Sequence, residues 1–95
     1  MNQYYVYILT SQSNKMLYIG VTNNLERRAL QHKTADNQLS YTNRFKIHKL
    51  VYYEIFADIA LAIKREKQLK KWNRQWKVRL IETLNPNWID LLNSE

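Results

Sequence analysis

Glu66 has the sequence position that most favours chemistry. On a helical projection it falls in the middle of an apolar stripe formed by Ile59, Ala62, Ile63 and Leu69. A carboxylate in such a stripe is partly removed from water, which is unfavourable unless a cation or hydrogen-bond donors meet it. Two interpretations remain open. Glu66 is either a structural ion-pair partner or a hard oxygen ligand for Mg²⁺, which commonly keeps several waters and takes further ligands from substrate phosphate.

Arg28 and His32 form a second candidate pair. They are spaced one helical turn apart, about 40° from each other around the helix, and lie beside Leu25. The planar guanidinium fork can hold two phosphate oxygens at once, and histidine can shuttle protons near neutral pH. Each of the two is equally compatible with an ordinary surface position.

Two tyrosines of an expected β-hairpin are the third candidate. If Val6 pairs with Ile19 on the core face, alternation of side chains brings Tyr7 directly opposite Tyr18 on the other face. In that register Gly20 lies opposite Tyr5 and leaves room for a ligand to approach the backbone. Because tyrosine is also a good strand residue, ordinary packing is the alternative interpretation.

Positive charge is concentrated in one part of the chain. The 15 Lys and Arg against 8 Asp and Glu give a net charge of +7, which favours polyanionic partners. Between Ala57 and Arg79 only Asp58 and Glu66 oppose eight basic residues. With Trp72 and Trp76 among them, the pattern favours nucleic acid over a merely solvated face or an anionic membrane surface. The expected nucleic-acid contacts are Lys64, Lys67, Lys70, Lys71, Arg74 and Lys77.

The strands and helices that position these residues can be predicted from the pattern of residue types. Residues 4–9, 16–21 and 50–56 read as strands because they are rich in β-branched and aromatic side chains. Asn23, with Glu26 as its capping-box partner, opens a helix that fades after Lys33. Asp58 and Asn73 cap two further helices, the first reaching about Trp72 and the second ending before Asn85-Pro86.

The remaining segments complete the expected architecture. Thr34–Asn43 has the composition of a mobile polar loop, and Trp88, Leu91 and Leu92 are expected to fold back on the core. The order ββαβαα predicts an α+β fold with a small mixed or antiparallel three-stranded sheet flanked by helices.

Composition limits the other possibilities. Ninety-five residues predict one domain over 1–95. The absence of cysteine excludes disulfides, zinc thiolates and a cysteine nucleophile. Neither a signal peptide nor an apolar run of about 20 residues is present, so we expect a soluble, cytoplasmic protein.

The spacing of these residues resembles the GIY-YIG nuclease family, in particular its small standalone bacterial members. Tyr5-Val6-Tyr7 is followed after 11 residues by Tyr18-Ile19-Gly20, counting from Tyr7 to Tyr18, and after 10 more by Arg28. Asn24-Leu25-Glu26-Arg27-Arg28 is similar to the stretch that leads into the family's arginine. The glutamate of the family's later helix matches Glu66, so the resemblance covers nearly the whole chain.

The resemblance implies metal-dependent hydrolysis of a phosphodiester with one Mg²⁺ or Mn²⁺ ion. It puts Tyr7 and Tyr18 at the reacting phosphate, Arg28 on the developing charge and Glu66 on the metal. His32 matches a His or Tyr position near the cleft, and Asn85 is the weakest match, to a terminal asparagine.

The sequence also departs from the family at two positions. Tyr5 replaces the first motif's glycine and is expected to crowd one side of the hairpin. Val21 stands where some relatives carry lysine, so a lysine-based route to activating water is not available there.

Three functions are therefore open. The first is an endonuclease acting on nucleic acid, with DNA favoured. The second is a non-catalytic nucleic-acid-binding module that uses the basic helices 58–85. The third is a partner-docking domain built on Trp72, Trp76 and Trp88, which requires an exposed aromatic patch, whereas these tryptophans are expected to be largely buried.

Overall fold

The computed structural model describes residues 2–33 and 46–92, without the side chains of residues 32 and 33. The described elements are β1 (Tyr4–Ser11), β2 (Leu17–Thr22), α1 (Leu25–Lys33), β3 (Ile47–Phe56), α2 (Ile59–Lys71) and α3 (Arg74–Leu84). The α+β class and the order ββαβαα are thus confirmed for this part of the chain. The expected mobile loop at Thr34–Asn43 lies outside the described residues.

The three described strands form one antiparallel sheet in the order β2-β1-β3. The predicted hairpin register is wrong by two residues, because Val6 pairs with Val21 and Tyr7 pairs with Gly20. A two-residue shift keeps every side chain on its expected face, since the side-chain period of a strand is two. The shared face of Tyr5, Tyr7, Tyr18 and Gly20 therefore survives, while the direct Tyr7–Tyr18 pairing does not.

The turn between β1 and β2 fixes this register. Ser11 closes it by donating its N–H to the Met16 carbonyl at 3.1 Å, and Asn14 adopts φ 62°. Asparagine tolerates this left-handed conformation better than most residues. Arg74 then donates to the carbonyls of Asn14 and Lys15 at 2.6 and 2.8 Å. The start of α3 is thereby tied to the hairpin turn.

Each face of the sheet carries its own apolar cluster. Val6, Ile8 and Ile19 pack with the buried residues of α2 and α3, namely Ala62, Leu69 and Ile81. On the other face Tyr7 and Leu9 pack with Leu25, Ile47 and Leu50. The sheet is therefore covered by α1 on one side and by α2 and α3 on the other.

The buried side of α2 is rotated from the predicted stripe. Ala62 and Leu69 are fully buried, but Ile59 and Ile63 are exposed. The expectation that all four form the core stripe is wrong, because the sheet contacts only the side centred on Ala62 and Leu69. Arg65 and Glu66 consequently flank the buried side, one at each edge.

Helix capping agrees with the sequence at two of three positions. Asp58 Oδ1 accepts the Ala60 N–H at 2.8 Å, and Asn73 Oδ1 accepts the Trp76 N–H at 2.9 Å. For α1, however, Asn24 caps in place of Asn23, with its Oδ1 accepting the Arg27 N–H at 3.0 Å. The Glu26 capping box is therefore not formed. Thr22, which accepts the Asn24 N–H at 3.1 Å, shifts the helix start by one residue.

The segment after α3 returns to the sheet as expected. Trp88 is buried against the α2–α3 side and donates its indole N–H to Glu82 at 2.8 Å. Leu91 donates its N–H to the Leu50 carbonyl at 2.8 Å. Within the described residues, no helix combines the length and the apolar character needed to cross a membrane.

Candidate active site

Tyr7 and Tyr18 lie together on the α1 side of the hairpin. Their ring centroids are 6.3 Å apart with planes inclined at 37°. Tyr7 is buried at 1% exposure, whereas Tyr18 is half-buried. One phenol is thus held rigidly in the core while its neighbour reaches the surface.

Gly20 gives space to Tyr7 and not to a ligand. A Cβ at this position would lie 2.5 Å from Tyr7 Cζ and closer still to its hydroxyl oxygen. The expected backbone approach of a ligand at Gly20 is therefore replaced by the approach of the Tyr7 ring. Because β2 is an edge strand, Tyr7 crosses over Gly20 toward the edge of the sheet.

Gly20→Ala is expected to lower the free energy of unfolding by about 1–3 kcal/mol, because the new methyl group overlaps the Tyr7 ring. Thermal denaturation should show a fall in Tm of roughly 4–24 °C. In a Tyr7→Leu background, which lacks the overlapping atoms, the same change should have little further effect. An equal loss in both backgrounds would show that the Tyr7 ring is not the reason for glycine.

Arg28 extends from α1 to the Tyr7 hydroxyl. Arg28 is half-buried beside the buried Leu25 and Ala29 on the same helix, and it lies close enough to the Tyr7 phenol to lower its pKa. Burial raises the pKa of Tyr7 far above its usual range, and the Tyr18 phenol adds to this rise. Arg28 acts in the opposite direction without cancelling it. Tyr7 is therefore protonated at neutral pH and available as a hydrogen-bond donor.

Glu66 reaches the same sheet edge from the other side. Helix α2 packs against β1 and β2, and the Glu66 carboxylate is near enough to Tyr7 to raise its pKa slightly. The Glu66 side chain is 16% exposed, and its Oε2 pairs with Lys70 Nζ at 2.6 Å. Lys70 itself is 54% exposed. The ion-pair interpretation is thus correct as a contact, but its cation lies in solvent and not in the core.

The side chains at this edge could hold a divalent metal ion only if water and the substrate supplied further ligands. Among the described residues, no group of three or more His, Cys, Asp or Glu could hold a metal ion. One partly buried carboxylate still fits Mg²⁺, which is often bound through one or two carboxylates plus waters and substrate phosphate. An ion at Glu66 would need most of its ligands from water and from a phosphate.

The other two candidate residues, His32 and Asn85, are not found at this edge in the described part of the structure. His32 lies in α1, but its side chain is outside the described part of the chain. Asn85 is buried at the end of α3, and its side chain contacts backbone: Nδ2 donates to the Val51 and Ile89 carbonyls at 3.1 and 2.8 Å, and Oδ1 accepts the Ile89 N–H at 3.1 Å. Asn85 therefore ties the terminal segment to β3.

We call the β2 edge of the sheet, where Tyr7, Tyr18, Arg28 and Glu66 lie, the reacting edge. Tyr5 points away from it. Its ring meets Tyr53 of β3 edge-on, with centroids 6.3 Å apart, and its hydroxyl donates to Gln3 Oε1 at 3.0 Å. Tyr7, by contrast, lies over β2. The expected crowding of the hairpin by Tyr5 is thus directed to β3, on the opposite side of β1.

The predicted basic contacts divide among different environments. Lys64, Lys67 and Lys71 line a groove on α2, Lys70 pairs with Glu66, and Arg74 holds the hairpin turn. Lys77 is half-buried on α3. They do not form one uniform phosphate-binding face.

One polar network was missed by the sequence analysis. Arg65 donates two hydrogen bonds to Glu54, both at 2.9 Å, and Tyr52 donates to the same carboxylate at 2.6 Å. Burial acts to raise the pKa of Glu54, but the hydrogen bonds from Arg65 and Tyr52 outweigh it and hold the pKa below its usual range. The alternation Tyr52–Glu54 on one face of β3 was the available signal, but it did not identify Arg65 as the partner.

The fold and this edge define a class of protein. Two phenols, a guanidinium and a carboxylate meet at one edge of a small antiparallel sheet, which is a side-chain set suited to phosphoryl chemistry. The family model for the GIY-YIG catalytic domain matches residues 3–79. The chain therefore belongs to the GIY-YIG family of nucleases.

The chain is also similar to curated proteins of about its own size. A UPF0213 protein of Syntrophus aciditrophicus is 39% identical over 82 residues, which cover 86% of this chain and 93% of the relative. One from Staphylococcus haemolyticus is 38% identical over 82 residues, covering 86% and 98%. One from Clostridium perfringens is 40% identical over 79 residues, covering 83% of each. No solved structure matches the chain.

Proposed function

We propose that this protein is a metal-dependent endonuclease that hydrolyses nucleic-acid phosphodiesters, with DNA the favoured substrate. The observation that carries the proposal is the meeting of Tyr7, Tyr18, Arg28 and Glu66 at one sheet edge, in a chain of the GIY-YIG family. The net charge of +7 favours a polyanionic substrate.

Arg28 stabilises the negative charge that develops on the phosphate. Its position close to the Tyr7 phenol and beside the buried Leu25 and Ala29 restricts the guanidinium before substrate arrives. A donor fixed in advance stabilises the transition state more than one that must reorganise. The planar fork also matches two phosphate oxygens.

Tyr7 positions the attacking water by hydrogen bonding and does not remove its proton. Burial raises the pKa of the Tyr7 phenol still further above neutral pH, which disfavours this residue as a general base and leaves it a hydrogen-bond donor. The half-buried Tyr18 and His32 are the other candidates for proton transfer.

Glu66 is the residue that would hold the divalent ion, Mg²⁺ or Mn²⁺, together with waters and the substrate phosphate. When bound, such an ion supplies Lewis-acid polarisation of a phosphate oxygen. Lys70, which pairs with Glu66, adds a positive charge beside the phosphate.

A nicking assay tests the proposal. Branched, nicked, duplex and single-stranded substrates are incubated with and without Mg²⁺ or Mn²⁺, and a mock preparation from cells that carry the empty vector, purified in parallel, controls for contaminating nuclease. We expect metal-dependent cleavage by the parent protein alone. Tight binding without cleavage under every metal condition would instead identify a non-catalytic nucleic-acid-binding module.

A further inference from the structure

A groove lies on the solvent side of α2, away from the reacting edge. We call it the back groove and define it by Phe56, Leu61, Lys64, Lys67, Lys71 and Trp72, which line a volume of about 600 Å³. Nothing in the proposed cleavage mechanism uses these side chains.

The back groove cannot contact the phosphate that meets Glu66. Successive residues of a helix are rotated by about 100°, so Lys67, Lys71 and Lys64 lie roughly 100–160° around α2 from Glu66. A helix with its side chains is about 10–12 Å across. A phosphate held by Lys64 and Lys71 is thus on the far side of α2 from the carboxylate.

The electrostatics of the back groove favour an anion. Lys64, Lys67 and Lys71 are exposed, and no acidic residue is among the described residues that line it. The nearby Glu54 is bound to Arg65. Three exposed lysines along one helix face, without an opposing carboxylate, favour a partner with several negative charges over a single small anion.

Two tryptophans continue the same surface. Trp72 separates the back groove from a second hollow of about 410 Å³ lined by Trp76, Arg79 and Leu80. The two indoles meet edge-on with centroids 5.7 Å apart, and Arg65 lies 5.2 Å from the Trp72 ring centroid. Trp76 is 50% exposed, so the expectation that all three tryptophans are buried is wrong for this residue.

We propose that the back groove and Trp76 bind a single-stranded segment of nucleic acid, separately from the reacting edge. Lysines along a track with an exposed aromatic ring beside them can contact phosphates and stack unpaired bases, whereas the bases of a duplex are stacked on one another. The inference rests on the proposed nucleic-acid partner, but it requires no cleavage. In this proposal, the nucleic-acid strand that leaves the reacting edge makes a second contact with the protein on the far side of α2.

Fluorescence anisotropy with a labelled oligothymidine in chelator-containing buffer tests the proposal. Lys67→Glu/Lys71→Glu should weaken binding at least tenfold and reduce the salt slope by about 0.7 for each lost phosphate contact. The control Lys15→Glu/Lys46→Glu makes the same charge change at exposed positions outside α2 and α3. It should weaken binding far less. Melting curves establish that each variant is folded.

Trp76→Ala tests the contribution of base stacking without changing the charge of the protein. Loss of one stacked base should weaken oligothymidine binding about tenfold while a blunt duplex of equal length binds nearly as before. Titration of the parent protein with oligothymidine should also quench tryptophan fluorescence, and this quenching should shrink in Trp76→Ala.

The outcomes separate this proposal from the proposed function. Equal weakening by both double reversals, or equal loss of duplex and single strand in Trp76→Ala, would overturn the back groove as a single-strand site. Binding of anionic phospholipid vesicles in preference to oligothymidine would do the same. If Glu66→Gln still cuts while the groove variants lose oligothymidine, the cleavage mechanism fails and the back groove stands.

Discussion

Arg28→Lys is expected to bind nucleic acid almost as tightly as the parent protein and to cleave it about 10²–10³ times more slowly. Lysine keeps the positive charge but lacks the two-pronged donor geometry. It also cannot offer several donors in one plane to the Tyr7 phenol, which lies close to Arg28, and to the phosphate at once. Single-turnover cleavage with saturating protein measures the chemical step, and anisotropy in chelator measures binding.

Arg27→Lys is the matched control for this experiment. Arg27 precedes Arg28 in α1 and is exposed, whereas Arg28 is half-buried beside the buried Leu25 and Ala29. The same chemical change at Arg27 should leave the single-turnover rate near that of the parent. If Arg28→Lys also cleaves at the parent rate, Arg28 only tethers the substrate. If both variants slow equally, the effect belongs to the charge of α1 and not to the fork of Arg28.

The sequence predicted the faces of the sheet because they depend on local alternation. Val6, Ile8 and Ile19 were expected in the core and Tyr7 and Tyr18 on the opposite side, and the structure has them there. The predicted register of the hairpin was wrong by two residues. The turn that fixes the register depends on Asn14 at φ 62° and on hydrogen bonds that Arg74 donates to the turn carbonyls. Arg74 is 60 residues away from Asn14 in the chain, so local pattern carries no information about that contact.

The helix that carries Glu66 shows a second limit of pattern reading. Four apolar residues defined the stripe, but the sheet covers only part of it and leaves Ile59 and Ile63 exposed. Glu66 was correctly expected at partial burial, with a side-chain exposure of 16%. Its neighbour Arg65, at the other edge of the buried side, is one of the eight basic residues counted between Ala57 and Arg79, and it binds Glu54. Periodicity locates a face, whereas ion pairs across elements depend on the packing of the helix against the sheet.

Start and end signals of helices were predictable to within a residue. Asp58 and Asn73 cap α2 and α3 as expected. At α1 the sequence predicted Asn23 as the cap, but its neighbour Asn24 caps the helix, and the Thr22 hydroxyl accepts the Asn24 N–H. A choice between equivalent neighbours is set by the strand that precedes them, which sequence pattern does not resolve.

Glu66→Gln is expected to abolish metal-dependent cleavage while changing the free energy of unfolding by less than about 0.5 kcal/mol. The Glu66–Lys70 pair is an i,i+4 contact with a cation that is 54% exposed, and such pairs contribute little. Its loss leaves no buried cation behind, and the amide keeps the shape of the side chain while removing a partly desolvated charge. Thermal denaturation in a chelator should therefore give a Tm within about 3 °C of the parent. Electrostatic binding of nucleic acid should remain nearly intact.

Glu54→Gln is the control that should show the reverse behaviour. Glu54 accepts two hydrogen bonds from Arg65 and one from Tyr52, so replacing it disturbs charged hydrogen bonds and should lower stability by about 1–3 kcal/mol. It lies on the sheet face opposite Tyr7, and cleavage by the folded variant should persist. The same chemical change thus separates stability from turnover at two positions. A Glu66→Gln variant that melts several degrees lower and still cuts would show that Glu66 is structural, and it would remove the metal-binding role from the mechanism.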